Sequence, residues 1–496
     1  MAPLAVMATA WWRTACGLLL VCLPVAAACA TLSAALYASV QPVALDYGEP
    51  VVYGIALRVS AGQPLYQPLD RPPFTVAAYT PLYYWLGGGM QALFGPGFGP
   101  GRVLSLTAGV ATAVLIAVIA GSKHWGLWVG AFAGVLFLAF GFPGPDVPWL
   151  GLYRVDVLGV ALSVAAIAVL GRDDRTSTIV VAGVFAGLAV LCKQPFVAAL
   201  IAGAVFQWPK SGLIFPASAV VTFGIPCAVL QVTTGRAFLE NTVGANANPF
   251  YLSESTRLLV EFGRAQWLPL LLAGVYLWLG RPWQVSESRL VVVYWVVAGV
   301  SLAQLGKIGA NHNYWIEFAA ATAILAARGA ACLVRRPVFA AALVVALGVQ
   351  LGGPLGVLAS ARVVRADIRS TLTAPRDVDF EALVDRVRHE PGSVIAEPMD
   401  VIVLAGRQVL LEPFIFNILL DTGHWRADPV VDRICGGDVG LLVLAYPLQV
   451  GAGMTDGLHA LWTPAVMSAL ADTMELEGVQ AQRYVYSRSP SGARCR

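Results

Sequence analysis

Residues 43 to 88 read VALDYGEPVVYGIALRVSAGQPLYQPLDRPPFTVAAYTPLYYWLGG. The stretch separates two long apolar runs, yet it carries Asp46, Glu49, Asp70 and Arg71, Pro-Leu pairs and a crowd of tyrosines. A long, sparsely charged connection of this composition reads as a shaped surface rather than a solvated linker. Asp46 and Glu49 are three residues apart, so on a helix they would share one face and could serve together as a base in one cavity. The alternative is local: acids at a helix start cap free backbone N–H groups and complement the positive end of the helix dipole.

The setting is a membrane. Of the 496 residues 58% are hydrophobic and 12% charged, and the mean hydropathy is +0.71, far from the values of a soluble domain of this length. A formal net charge of +3 with no basic block excludes a nucleic-acid partner. Six of the eight cysteines lie in or beside apolar runs and read as small buried hydrophobes. Cys435 and Cys495 lie in a polar tail, and no metal-ligand spacing is present.

Runs approaching the roughly twenty apolar residues that a spanning helix needs recur over the first three quarters of the chain. About eleven are expected, centred near Val21, Ala113, Val135, Ala161, Phe185, Ala199, Val220, Leu271, Val296, Ala323 and Val345. The sixth is short enough to be a broken or re-entrant segment. The first is alternatively a signal peptide, but Cys16 to Tyr37 is longer than the usual apolar core of one. Arg13, Lys123, Arg172 with Arg175, Lys210, Arg281 with Arg289, and Arg335 with Arg336 fall on one side when eleven helices are threaded alternately, and that side is expected to be cytoplasmic. The opening stretch, the loop around Arg154, a loop from Thr233 to Gln266, the GKIGANHNY loop and everything after about Ser360 then lie outside. Residues 1–359 are read as the membrane domain, with a first outer loop at 38–101, and 360–496 as an extracytoplasmic α/β domain. In that domain VIAEPMDVIVLAG and VGLLVLAYPL read as strands, and DFEALVDRVRHEPG as an amphipathic helix.

Several motifs run in one order along the chain. The acid pair is followed by GQPLYQP, YTPLYYWL and GRVLSL; then come LYRVDVLGVAL (152–162), LAVLCKQPFVAAL (188–200), NHNYWIEFAAA (311–321) and LAGRQVLLEPFIFNILLDTGHW (404–425). Together they resemble the polyprenyl-phosphate-sugar glycosyltransferases of the C-type (GT-C) fold, specifically the bacterial relatives of protein O-mannosyltransferases and the lipid A aminoarabinose transferase. The resemblance implies a mainly α, polytopic membrane protein of a bacterial inner (cell) membrane, with its N-terminus cytoplasmic. It further implies transfer of a sugar from a polyprenyl-phosphate carrier to a glycolipid, polysaccharide or protein acceptor, with no nucleotide cofactor and not necessarily a metal.

Carried over residue by residue, the resemblance makes the first-loop acid the catalytic base, so the role falls to Asp46, with Glu49 beside it. An acceptor hydroxyl must lose its proton as it attacks the anomeric carbon, and a carboxylate within reach can take it. The departing lipid phosphate is anionic, and Arg154 or Lys193 would neutralise it. Asp156 matches the second acidic position and would orient the acceptor or Arg154; a plain salt bridge to Arg154 is the alternative. For Lys193 the alternative is snorkelling to the interface. Gln194 with Pro195 marks a helix break of the kind a ligand site requires. His312, flanked by Asn311 and Asn313 and followed by Tyr314 and Glu317, either caps a helix or binds sugar or phosphate. One His and one nearby acid do not make a metal site. Tyr79 and Tyr83 are placed to stack on a sugar ring or to form an interfacial aromatic belt.

Two other classes fit parts of the pattern. A transporter or flippase of a lipid-linked substrate would also need polar residues within the membrane, but near its midplane. A non-catalytic envelope-complex protein surrounded by membrane lipids would make Asp46, Glu49 and Asp156 dispensable.

Overall fold

The computed structural model describes residues 2–122, 124–142, 149–209, 212–352, 378–448, 455–456, 459–489 and 495. Inside lipid every backbone N–H and C=O must find an internal partner, so the apolar runs become helices. In chain order these and the helices between them are α1 (Ala2–Ser39), α2 (Gly48–Ser60), α3 (Leu82–Phe94), α4 (Gly99–Ala120), α5 (Leu127–Phe140), α6 (Asp156–Leu170), α7 (Thr176–Cys192), α8 (Ala198–Gln207), α9 (Ile214–Thr234), α10 (Ala237–Thr242), α11 (Leu252–Leu279), α12 (Ser286–Val300), α13 (Ile316–Leu333) and α14 (Pro337–Gly352). Among the described residues, six segments are long and apolar enough to cross a membrane: Ala15–Ser39 in α1, α4, α9, α11, Ser286–Gly306 and His312–Leu333. The helices α5, α6, α7, α8 and α14 are apolar but shorter. Each of the expected segment centres falls inside one of these helices, and α8 is the short one, ten residues long. The chain is a multi-pass membrane protein.

Packing groups the chain into two compact units: Met1–Val40 with Arg102–Pro226 and Pro249–Arg369, and Gln41–Gly101 with Cys227–Asn248 and Ser370–Arg496. Residues 41–101 thus group with C-terminal residues. The boundary near Ser360 itself lies outside the described residues.

In the first unit α13 is the central helix, buried from Ile316 to Ala330, and it packs on α11, α5, α12 and α6. Its alanine-rich sequence lets neighbours come close. The tightest approach is at Gly329, where an added Cβ would lie 1.9 Å from the Leu272 carbonyl oxygen of α11. On the periphery Leu18, Val114, Val221, Val229, Leu271 and Val345 are exposed, as lipid-facing side chains are.

The loop expected from Thr233 to Gln266 is largely helical instead, through α10 and the first turns of α11. Those turns are charged, which hid them from an apolar-run reading. They are held by Arg257, which donates to Glu254 at 2.7 Å and to Glu261 at 2.9 Å, the i,i+3 and i,i+4 spacing of helix-surface pairs.

In the second unit a four-stranded mixed sheet has Ser393–Glu397 parallel to Val439–Leu444, which pairs antiparallel with Arg483–Arg488, itself antiparallel to Met474–Gln480. The amphipathic helix lies at Val378–His389 as its apolar period predicts, burying Phe380, Leu383 and Val387. The segment VIAEPMDVIVLAG is only half strand: beyond Glu397 the chain turns and Asp400–Leu404 is helical. Cys435 and Cys495 form a disulfide with Cα atoms 5.4 Å apart. The segment before α3 is stitched to the 404–425 motif by backbone pairing: Phe74 N donates to Leu410 O and Glu412 N to Phe74 O, both at 2.8 Å. Val76 N donates to the Glu412 carboxylate at 3.1 Å, and Ala44 N to Asp400 Oδ2 at 3.3 Å. Asp400, fully buried, is held in turn by both Nη atoms of Arg483.

Candidate functional site

In the first unit, α7 stops at Cys192 and α8 starts at Ala198, and Lys193, Gln194 and Pro195 lie in the break. Pro195 removes a backbone donor, and Lys193 takes an extended conformation (φ −156°, ψ 132°) that carries its side chain out of the helical path. The chain after the break is pressed onto α6: an added Cβ at Gly159 would lie 2.2 Å from the Phe196 ring. This approach brings Lys193 to Asp156, the first residue of α6. Lys193 Nζ donates to Asp156 Oδ1 at 2.7 Å, and Asn313 Nδ2 donates to the same oxygen at 2.9 Å. Arg154 Nε stands 3.9 Å from Asp156 Oδ2, which accepts no hydrogen bond. The Lys193 ammonium also lies 4.3 Å from the centre of the Tyr314 ring, a cation–π contact. Asp156, Lys193 and Asn313 are buried. Charges so placed need one another, because water is not there to solvate them.

Asp156, Lys193, Arg154, Asn313 and Tyr314 are therefore gathered into one cluster. Gln194 stands half-buried beside it. His312 has a different partner: its Nε2 lies 3.0 Å from Glu261 Oε2, and its ring packs 4.4 Å from that of Trp315. Asn311 is exposed and accepts from His312 N at 2.7 Å, a cap of the turn that opens α13. Glu317 is committed inside the bundle, accepting from Ser163 and from Tyr294 OH at 3.2 Å, and so ties α6, α12 and α13 together.

One residue of this region carried no signal in the sequence. Lys307, half-buried in the GKIGANHNY loop, has its pKa pushed from 10.5 down to about 8, by burial and then by the charge of Lys193. A lone lysine in a glycine-rich loop has no periodicity to betray it. Its charge is thus felt by Lys193, the cation that pairs with the Asp156 carboxylate.

In the second unit, Asp46 and Glu49 do not share a helix face, because α2 begins only at Gly48. Asp46 is half-buried in the turn before the helix, and its Oδ2 accepts from Gly48 N at 3.0 Å. Glu49 is fully buried in the first turn and reaches back, Oε2 accepting from Leu45 N at 2.8 Å. Both acids thus take part in capping. Asp46 is the more accessible of the two. Tyr83 is buried and its hydroxyl donates to Gly101 O at 3.2 Å, so that ring is part of the core. Tyr79, half-buried, stacks on Tyr84 with ring centres 6.4 Å apart. Arg58, unremarked in the sequence, is buried and donates to Leu65 O and Gln67 Oε1, both at 3.0 Å, and to Thr75 Oγ1; burial lowers its pKa to about 10. It fixes the path of the chain from Leu65 to Thr75. Among the described residues no three His, Cys, Asp or Glu side chains converge as a metal site would require.

The fold has solved counterparts. The structure is similar to that of ArnT from Cupriavidus metallidurans bound to undecaprenyl phosphate, with a TM-score of 0.59 and 13% identity over 93% of this chain and 98% of that one. It is also similar to the oligosaccharyltransferase of Archaeoglobus fulgidus tethered to an acceptor peptide, with a TM-score of 0.52 and 14% identity over 96% of this chain and 74% of that one. No protein-family model and no curated protein matches the sequence. At these identities the likeness establishes the fold, and the fold is the one that the ordered motifs resemble.

Proposed function

We propose that the chain is a membrane glycosyltransferase that moves a sugar from a polyprenyl-phosphate carrier to an envelope acceptor on the extracytoplasmic face, with inversion at the anomeric carbon. The observation that carries this reading is the pair of cations Arg154 and Lys193 gathered about Asp156 at helix ends, with Lys307 close enough for its pKa to be lowered partly by Lys193. Mutual repulsion of cations partly withdrawn from solvent is relieved by an anion, and a lipid phosphate is an anion that a membrane protein meets. Similarity to a fold whose solved examples include ArnT bound to undecaprenyl phosphate supports the same donor class.

In the proposed reaction the acceptor hydroxyl oxygen attacks the anomeric carbon, and the bond from that carbon to the phosphate oxygen breaks. Its electron pair leaves with the polyprenyl phosphate, whose charge Arg154, Lys193 and Lys307 stabilise. The hydroxyl proton passes to a carboxylate of the first outer loop, Asp46 before Glu49, since Asp46 is the more accessible. Asp156, with Asn313, orients Lys193. The acceptor is a glycolipid, a polysaccharide or a protein, and the setting is a bacterial inner membrane with the N-terminus cytoplasmic. The Cys435–Cys495 disulfide supports an oxidising, extracytoplasmic location for the C-terminal residues.

A carrier protein would place its charges near the bilayer midplane. Asp156 and Lys193 sit at the first residue of α6 and immediately after the last residue of α7, at helix ends rather than within a helix, which favours the transferase reading. The test is transfer by the purified protein: polyprenyl-phosphate sugar alone should support product formation with release of polyprenyl phosphate. Transfer from a nucleotide sugar with no lipid carrier present would reject the proposal.

A further inference from the structure

Independently of the transfer reaction, helices α1, α5, α13 and α14 enclose a groove of about 570 Å³, within the range of roughly 300–1,000 Å³ usual for small-molecule sites. The small residues Gly17, Ala330 and Ala340 make room for it, and Leu20, Phe132 and Leu343 line it. Its charged lining residue is Arg335, exposed in the turn between α13 and α14, with Arg336 exposed next to it. Trp128, in the first turn of α5, also lines the groove and is 84% exposed. Exposed Trp and Arg at helix ends mark a membrane interface. Along α13 the lining runs from Ala331, one turn before Arg335, back to Ala327, about 6 Å at 1.5 Å per residue, so the groove descends from the interface toward hydrocarbon. Among the described residues no carboxylate pairs with Arg335 or Arg336.

We propose that this groove binds an anionic glycerophospholipid of the surrounding bilayer, an acyl chain lying against Leu20, Phe132 and Leu343 and the phosphate held by Arg335. Neither half of the site explains the other alone. An apolar groove takes any acyl chain, whereas an exposed arginine at its interfacial end selects a negative headgroup. A zwitterionic lipid would fill the same space without that gain. The polyprenyl phosphate carrier shares both chemical features, but a bilayer phospholipid is the abundant anionic amphiphile there, and it is the occupant proposed.

Native mass spectrometry of the purified full-length protein, delipidated and titrated with phosphatidylglycerol or phosphatidylcholine of matched acyl chains, tests this. Phosphatidylglycerol should bind about fivefold more tightly for each arginine engaged, and Arg335→Gln should bring the ratio down by that factor. Gly17→Phe should lose both lipids, since nothing stands within 4 Å of a Cβ at Gly17 and the ring can occupy the groove. Should Gly17→Phe fail to fold, Arg335→Gln decides alone, because its side chain is exposed. Equal binding of the two lipids by the native protein, an unchanged ratio in Arg335→Gln, or displacement of phosphatidylglycerol by equimolar polyprenyl phosphate would each overturn the proposal.

Discussion

Lys193 Nζ lies 2.7 Å from Asp156 Oδ1, and both side chains are nearly withdrawn from solvent, at 4% and 2% exposure. Each ion is tolerable there because of the other. Replacing either one alone, as Lys193→Met or Asp156→Ala, should destabilise the protein by about 3–5 kcal/mol by stranding a buried charge. The double variant should recover much of that loss, and thermal unfolding in detergent reads the difference. Strictly additive losses would mean that the pair is not coupled.

Lys307 gives a pH signature. Its folded-state pKa of about 8 lies below the ordinary 10.5, so the folded protein binds this proton less readily than the unfolded chain does. Between those values the unliganded protein therefore gains stability as pH rises. Binding of an anionic donor runs the other way: it needs the ammonium and should weaken as pH rises through about 8. Isothermal titration with polyprenyl phosphate from pH 7 to 9 measures this, and Lys307→Gln should flatten the profile.

The Cys435–Cys495 bridge closes a separation of 60 residues. A cross-link of that span contributes about 4 kcal/mol in the chain-entropy model. Cys435→Ser should lower the unfolding midpoint of the second unit, and in the native protein neither thiol should accept an alkylating probe until it is reduced. Rapid labelling without reductant would place these residues in a reducing compartment.

Membrane orientation is separately testable with reporter fusions at Pro209 and near Gly492. The basic loops predict a cytoplasmic readout at the first and an extracytoplasmic one at the second. The opposite pattern would invert the topology on which the reaction depends.

The helices were legible because hydrocarbon allows the backbone so few alternatives, and the break at Lys193 because Pro195 cannot continue a helix. The start of α11 was not legible, since its first turns are charged and stabilised by Arg257 pairs rather than by an apolar face. The second half of VIAEPMDVIVLAG was misread because a short apolar run fits strand and helix equally well. Asp156 and Lys193 stood out as costly charges beside apolar runs, but their contact depends on the close approach of Phe196 to Gly159, which spacing does not encode. The disulfide had one signal, two cysteines isolated in a polar tail, and sequence alone does not specify pairing.

The acid pair remains the decisive point, because Asp46 accepts from Gly48 N and Glu49 from Leu45 N, bonds that a capping role explains without any chemistry. Asp46→Asn keeps an oxygen to accept from Gly48 N and removes the proton acceptor. The direct measurement is single-turnover sugar transfer from polyprenyl-phosphate sugar by Asp46→Asn, run beside Glu49→Gln, with folding checked by circular dichroism and donor binding by titration. A base at Asp46 predicts intact folding and donor binding with transfer slowed about 10²-fold or more. Near-native transfer by both variants would contradict a first-loop carboxylate base.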